Sequence, residues 1–113
     1  MPFINTRTNA TITPEQEASI KAKLGDAIRC LGKSEGWLML NFEDNCRLWF
    51  KGDNRKSIAM VEISLFGRAN ESAYNDMTKQ VTTILSQELS ISPDCIYVKY
   101  EEVDNWGWNG NNF

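Results

Sequence analysis

The chain has 113 residues, of which 42% are hydrophobic and 24% charged, with a net charge of -3 at pH 7. These proportions are typical of one globular domain over residues 1–113 and exclude a disordered or fibrous chain. The net negative charge disfavours binding to the phosphate backbone of a nucleic acid, so we expect no nucleic acid partner. The sequence has no histidine, which excludes Ser-His and Cys-His nucleophile pairs and histidine-ligated zinc.

Cysteine spacing and the lack of long apolar runs indicate the cellular compartment expected for the protein. The three cysteines, Cys30, Cys46 and Cys95, are far apart and form no CxxC pair. We therefore expect a reducing, cytoplasmic setting and no metal site. The chain has no apolar run typical of a signal peptide, and no stretch approaches the roughly 18 apolar residues of a membrane span. We expect neither export through a signal peptide nor a membrane partner.

In chain order, the first predicted elements are a strand, a helix and a second strand. Residues 3–8 are rich in β-forming types and predict a strand that begins almost at the terminus. Thr13 and Gln16 have capping-box spacing, and they predict the start of an amphipathic helix that ends at Gly32. The apolar and aromatic run of residues 37–42 predicts a second strand, buried over most of its length.

The second half of the chain repeats this order. Residues 48–50 are a short apolar segment between two polar turns and predict a small edge strand, whereas residues 57–66 alternate and predict a full strand. A helix follows over residues 74–89, with Asn70 or Ser72 as its N-cap.

A last strand over residues 95–100 completes a second β-α-β unit. Two such units in a short chain predict an α+β, ferredoxin-like fold with a four-stranded sheet and both helices on one face. The strands read as apolar on both faces, so we expect copies of the chain to associate through the open face.

Pro2 is the candidate catalytic residue. It follows Met1 directly, and removal of Met1 leaves a secondary amine at the N-terminus. An α-amino group titrates at about 7.7–8.0, and burial beside a cation lowers that pKa towards neutrality. In a chain without histidine this amine is the most plausible neutral-pH base, although proline at this position is also common by chance.

Four motifs fall at characteristic distances from one another: MPFINT at residues 1–6, LGKSEGW at 31–37, ISPDCIYVKY at 91–100 and WGWNGNNF at 106–113. As a set they resemble the macrophage migration inhibitory factor family of the tautomerase superfamily over the full length of the chain. The resemblance implies a single tautomerase-type domain that assembles as a homotrimer and needs no cofactor. It also implies keto-enol tautomerase activity on phenylpyruvate-like aryl 2-keto acids. Some family members act as cytokines, so a non-catalytic signalling or binding trimer, with an unknown receptor, is the alternative.

The resemblance also assigns roles to individual residues. Pro2 would move the proton, Lys33 would hold the substrate carboxylate, and the backbone amide of Phe66 would contact the substrate. Tyr97 would come from the neighbouring subunit and close the pocket. The residues expected to form an apolar wall for an aryl substrate are Trp106, Trp108 and Phe113, together with Phe3 and Trp37.

Each role has a purely structural alternative. A lysine after a helix, such as Lys33, is usually a solvated charge that complements the helix dipole. Tyr97 and Phe66 are also ordinary strand residues, and tail tryptophans can simply pack on a neighbour. An RNA-binding sheet is a further alternative, which the acidic composition disfavours.

The chain departs from the family pattern at several positions. Lys99 stands where the family commonly has asparagine, and this second cation would favour more acidic substrates. Lys51 and Arg68 replace family glycines in two loops. Residues 58–61 replace the CxxC of some animal members, so thiol oxidoreductase activity is not expected.

Overall fold

The structure is a computed structural model that describes residues 1–113. Its main sheet has four strands in the order β2-β1-β3-β4. The central strands β1 and β3 are antiparallel, whereas β2 is parallel to β1 and β4 is parallel to β3. The strands are β1 (Pro2–Thr8), β2 (Met39–Glu43), β3 (Ala59–Phe66) and β4 (Ile96–Val103). The predicted α+β arrangement of two β-α-β units is confirmed.

Helix α1 (Pro14–Ala27) begins at the predicted capping box. Thr13 Oγ1 accepts from the Gln16 amide at 3.2 Å, and Gln16 Oε1 accepts from the Thr13 amide at 2.9 Å. A 3-10 turn (Ile28–Leu31) continues the helix, and Gly32 then ends it with a φ of 72°. This left-handed conformation suits glycine and turns the chain towards the sheet edge.

Helix α2 (Glu71–Leu89) takes Asn70, rather than Ser72, as its N-cap, because Asn70 Oδ1 accepts from the Ala73 amide at 2.8 Å. Neither helix combines the length and apolar content that a bilayer crossing requires. Both helices pack on the same face of the sheet, where they form one buried cluster with the inward side chains of β1 and β3. Fully buried members of that cluster include Ile4, Ile20, Leu24, Val61, Ile63, Met77, Val81 and Leu85.

Two predicted strands need correction. A 3-10 turn (Glu35–Trp37) occupies the start of the second predicted strand, and β2 has no fully buried residue. The prediction that this strand is mostly buried is wrong because β2 is an edge strand with β1 as its sole partner. Residues 48–50 form no strand: Phe50 and Asp53 instead exchange hydrogen bonds of 2.8 and 3.0 Å across a tight turn.

The open face of the sheet is polar at its centre, so the prediction of apolar strands on both faces is wrong. Asn41 of β2 donates to Asn5 of β1 at 2.8 Å, and charged side chains continue across the other strands. The reason is that side chains of β1 and β3 alternate between the faces. Ile4, Val61 and Ile63 face the helices, whereas Asn5, Arg7 and Glu62 at the centre of the sheet face the open side. Exposed apolar side chains lie instead at its margins, where Met39 is 68% and Tyr97 is 60% exposed.

Thr6 supplies a test of the core. Its hydroxyl is buried on the helix side of β1 and has no hydrogen-bond partner. We expect Thr6→Val to raise the free energy of unfolding by about 1 kcal/mol, because it removes an unsatisfied buried polar group at nearly constant volume. Chemical denaturation followed by circular dichroism measures the change.

Thr8 is the matched control, since it is buried on the same strand and the same face. Its hydroxyl donates to the Ile58 carbonyl at 2.7 Å and accepts from the Ala10 amide at 3.1 Å. Thr8→Val should therefore lower the unfolding free energy by about 1–3 kcal/mol. Equal effects of the two substitutions would contradict this account.

Candidate active site

A groove of about 720 Å³ lies at the end of the sheet where strand β1 begins and strands β3 and β4 terminate. Antiparallel pairing of β1 with β3 brings these ends together, with Pro2 opposite Leu65 in the register. Its lining includes Met1, Pro2, Phe3, Trp37, Met39, Ser64, Val103, Trp106 and Trp108. The groove therefore contains Pro2 together with four residues that were predicted to form the apolar wall: Phe3, Trp37, Trp106 and Trp108.

Aromatic rings form one wall of this edge. The Trp37 and Trp108 rings are nearly perpendicular, with centroids 4.9 Å apart, and the Phe66 and Phe113 rings are 5.6 Å apart. Together with Met1, these side chains line an adjoining apolar hollow of about 360 Å³. A planar aryl group in this hollow would make edge and face contacts with these rings.

A C-terminal hairpin brings Trp108 and Phe113 to this wall. Its strands β5 (Gly107–Trp108) and β6 (Asn111–Asn112) pair around a turn in which Asn109 and Gly110 have positive φ values of 53° and 81°. Asparagine and glycine are the residues that tolerate this turn best. The Phe113 amide donates to the Trp106 carbonyl at 3.0 Å and fixes the end of the tail.

Lys33 reaches the same edge from the turn that follows Gly32. Its Nζ donates to the Phe66 carbonyl at 2.9 Å, so the cation is held at the end of β3. The pKa of the Met1 amino group is lowered, first by burial and then by the charge of Lys33. The Met1 amino group is therefore more often neutral near pH 7 than an ordinary α-amino group.

Met1 determines what Pro2 offers chemically. With Met1 in place, the Pro2 nitrogen is an amide nitrogen without basicity, and the Met1 carbonyl accepts from the Phe66 amide at 2.9 Å. In a chain that begins at Pro2, the secondary amine forms and the Phe66 N–H loses this partner. The same cleavage therefore creates a base and exposes a hydrogen-bond donor beside it.

Tyr97 and Lys99 lie away from Pro2 within one chain. In the sheet register Leu65, which faces Pro2, pairs with Glu102. Tyr97 is five residues before Glu102, roughly 16 Å away along the strand.

Both side chains have partners of their own. The Tyr97 ring meets the Phe50 ring at 5.0 Å, and Lys99 Nζ lies 3.3 Å from Glu62 Oε2. A single chain does not bring these two residues to the Pro2 amine.

Sequence reasoning missed several residues of the groove, among them Met39, Ser64 and Val103. Ser64 is two residues before Phe66 on β3, so the two-residue period of a strand could have placed it on the same face. Val103 lies beyond the predicted end of the last strand, at residue 100. Met39 becomes visible only once the pairing of β2 with β1 is known.

Comparison with known proteins places the chain in a family. The family model described as "Macrophage migration inhibitory factor (MIF)" matches residues 1–113. The macrophage migration inhibitory factor of Mus musculus is 24% identical over 115 aligned residues, which cover 100% of this chain and 99% of that protein.

Solved structures agree with the sequence match. The crystal structure of Leishmania major MIF2 superposes with a TM-score of 0.93 at 31% identity, covering 100% of this chain and 97% of that one. The macrophage migration inhibitory factor homologue from Prochlorococcus marinus superposes with a TM-score of 0.88 at 26% identity, covering 98% of both chains. The chain therefore belongs to the macrophage migration inhibitory factor family, a membership that supports a tautomerase-type or cytokine-like function.

Proposed function

We propose that the protein is a cofactor-independent keto-enol tautomerase of aryl 2-keto acids such as phenylpyruvate. One observation carries the proposal: Met1 and Pro2 line an aromatic groove, and the pKa of the amino group at Met1, one residue before Pro2, is lowered by burial and then by the charge of Lys33. A neutral amine is a base for a carbon-bound proton, and the aromatic wall suits an aryl group.

The proton transfer is assigned to Pro2. Its neutral amine takes the proton from the carbon next to the keto group, and the electron pair moves to form the enol double bond. The keto oxygen gains a proton from water, and the protonated amine gives its proton to the hydroxide that is left, which regenerates both the neutral amine and the water. The reverse steps restore the keto form. The net reaction is an isomerisation, so no redox partner or cofactor is needed.

Lys33 and the Phe66 amide are assigned to substrate binding. The ammonium group of Lys33 is fixed by the Phe66 carbonyl and can hold the substrate carboxylate. The Phe66 N–H, once Met1 is removed, is available to the substrate's keto oxygen, where negative charge develops. The aryl ring is assigned to the wall formed by Trp106, Trp108 and Phe113.

We assign the active form to a homotrimer in the cytoplasm. The large exposed side chains Met39 and Trp49, each 68% exposed, and Tyr97 are the kind of surface that a second copy covers. The distance of Tyr97 from Pro2 agrees with its assignment to the site of a neighbouring subunit. The three cysteines are unpaired, as expected in a reducing compartment.

A binding or signalling function is the second candidate. It applies to a chain that retains Met1, because Pro2 then has no basic nitrogen and the Phe66 amide stays bonded to the Met1 carbonyl. A chain that retains Met1 would keep the fold and surface of the family without the proposed chemistry.

The first prediction concerns Pro2. Protein whose mass shows that Met1 is removed should accelerate the ketonisation of phenylpyruvate, followed by ultraviolet absorbance, far above buffer. Pro2→Gly, which replaces the secondary amine with a primary one, should lower kcat/KM by about 10²-fold or more. Protein that retains Met1 is the matched control and should show no rate above buffer.

Two outcomes would contradict these assignments. Unchanged activity in Pro2→Gly would overturn the proposed base. If protein with a free Pro2 amine showed no rate above buffer, the binding function would gain support.

The second prediction concerns Lys33 and pH. Lys33 lowers the pKa of the Met1 amino group, and its charge should disfavour protonation of a Pro2 amine one residue along in the same way, so removing Lys33 should raise the pKa of the Pro2 amine. Since the neutral amine is the base, the acid limb of the pH profile of kcat/KM should move to higher pH in Lys33→Ala. KM should rise about tenfold, because the substrate carboxylate loses its cationic partner.

Lys33→Arg keeps the charge and is the control. It should leave the acid limb close to that of the unaltered protein. An unshifted limb in Lys33→Ala would show that Lys33 does not act on the amine.

A further inference from the structure

A chain of ion pairs crosses the open face of the sheet, with one charged residue on each of the four strands. Glu43 of β2 lies 3.3 Å from the Arg7 guanidinium of β1. Arg7 also pairs with Glu62 of β3, and Glu62 pairs with Lys99 of β4 at 3.3 Å. The sequence of charges is therefore acid, base, acid, base across the sheet.

Glu62 is the central member of this chain because it serves both cations. One of its carboxylate oxygens accepts from Arg7, and the other faces Lys99. Its side chain is 27% exposed, against 45% for Glu43, the other acid of the chain. The less solvated position makes Glu62 a stronger counter-charge than Glu43.

These groups line a polar recess of about 200 Å³ that adjoins the Pro2 groove. Phe3 and Ser64 are walls of both spaces, so a substrate group that extends past them would enter the recess. The charged residues that line the recess are Arg7, Glu62, Lys99 and Glu101, two of each sign.

We infer that Glu62 is a specificity-determining residue that makes the groove selective for monocarboxylates. By pairing with Arg7 and Lys99 of its own chain, Glu62 removes the second cationic anchor that a dianionic substrate would need. This holds whether Lys99 faces the groove of its own chain or, with Tyr97, that of a neighbouring subunit. Lys33 is then left to hold a single carboxylate. Glu62 thus counters the preference for more acidic substrates that Lys99 alone would favour. The inference rests on the proposed tautomerase function.

The test compares two substrates that undergo the same reaction, phenylpyruvate and 4-carboxyphenylpyruvate, which carries one more negative charge. Glu62→Gln should raise the ratio of kcat/KM for the dianion over the monoanion by about tenfold, through KM, and added salt should reduce the effect. Glu43→Gln is the matched control, since Glu43 contacts Arg7 but does not line the recess. It should change the ratio by less than about twofold.

Lys99 provides a second variant. In Glu62→Gln/Lys99→Asn the rise in the ratio should largely disappear. If Glu62→Gln gave the same ratio as Glu43→Gln, or if its rise survived without Lys99, the inference would be overturned.

A measurement that does not depend on catalysis separates this inference from the proposed function. Acylation of Lys99 by an amine-reactive ester, measured by peptide mass spectrometry against Lys79, should be about threefold faster in Glu62→Gln. Unchanged labelling would overturn the claim that Glu62 screens Lys99. Failure of the unaltered protein to turn over either substrate, with faster labelling retained, would overturn the proposed function and, with it, the assigned substrate selectivity.

Discussion

The backbone of Phe66 is the point on which the groove depends. Its N–H is bonded to the Met1 carbonyl and its carbonyl to Lys33 Nζ, so one residue fixes both the start of β1 and the nearby cation. The bond to Met1 exists because β1 and β3 are antiparallel neighbours at the centre of the sheet, and the bond to Lys33 exists because the turn at Gly32 brings that side chain to the end of β3. A one-residue slip of this pairing would turn Phe66 and Ser64 to the helix face and dismantle the groove.

The two-residue period of β3 divides its side chains between two tasks. Ile63 and Leu65 are buried, and Ile63 packs beneath the helices, whereas Glu62, Ser64 and Phe66 face the other side. Both helices cover a single face, so the opposite face is free to carry an aromatic groove at one edge and an ion-pair chain at its centre. Proposed catalysis and proposed charge selectivity therefore come from the same alternation that builds the core.

The accuracy of the sequence predictions follows the range of the interactions concerned. The capping box at Thr13 and the end of the first helix at Gly32 were predicted correctly, because both depend on residues a few positions apart. The burial of β2 and the strand at residues 48–50 were predicted wrongly, because apolar content does not reveal which strand lies at an edge. The structure brings most of the candidate site together at one end of the sheet, namely Pro2, Lys33, Phe66 and the tail aromatics. Tyr97 and Lys99 do not lie there.

The sequence by itself determined the order of the two helices and the four strands of the main sheet, the ends of the helices, the family and the exclusion of histidine chemistry, since these follow from residue types and short spacings. Only the tertiary structure decided that Phe66 meets Lys33, that Met1 occupies the Phe66 amide and that Glu62 lies between Arg7 and Lys99. Glu62 and Lys99 are far apart in the chain, and they become neighbours because parallel pairing places β4 in one fixed register on β3. Such a register arises from the packing of the whole sheet against its helices, which no local pattern contains.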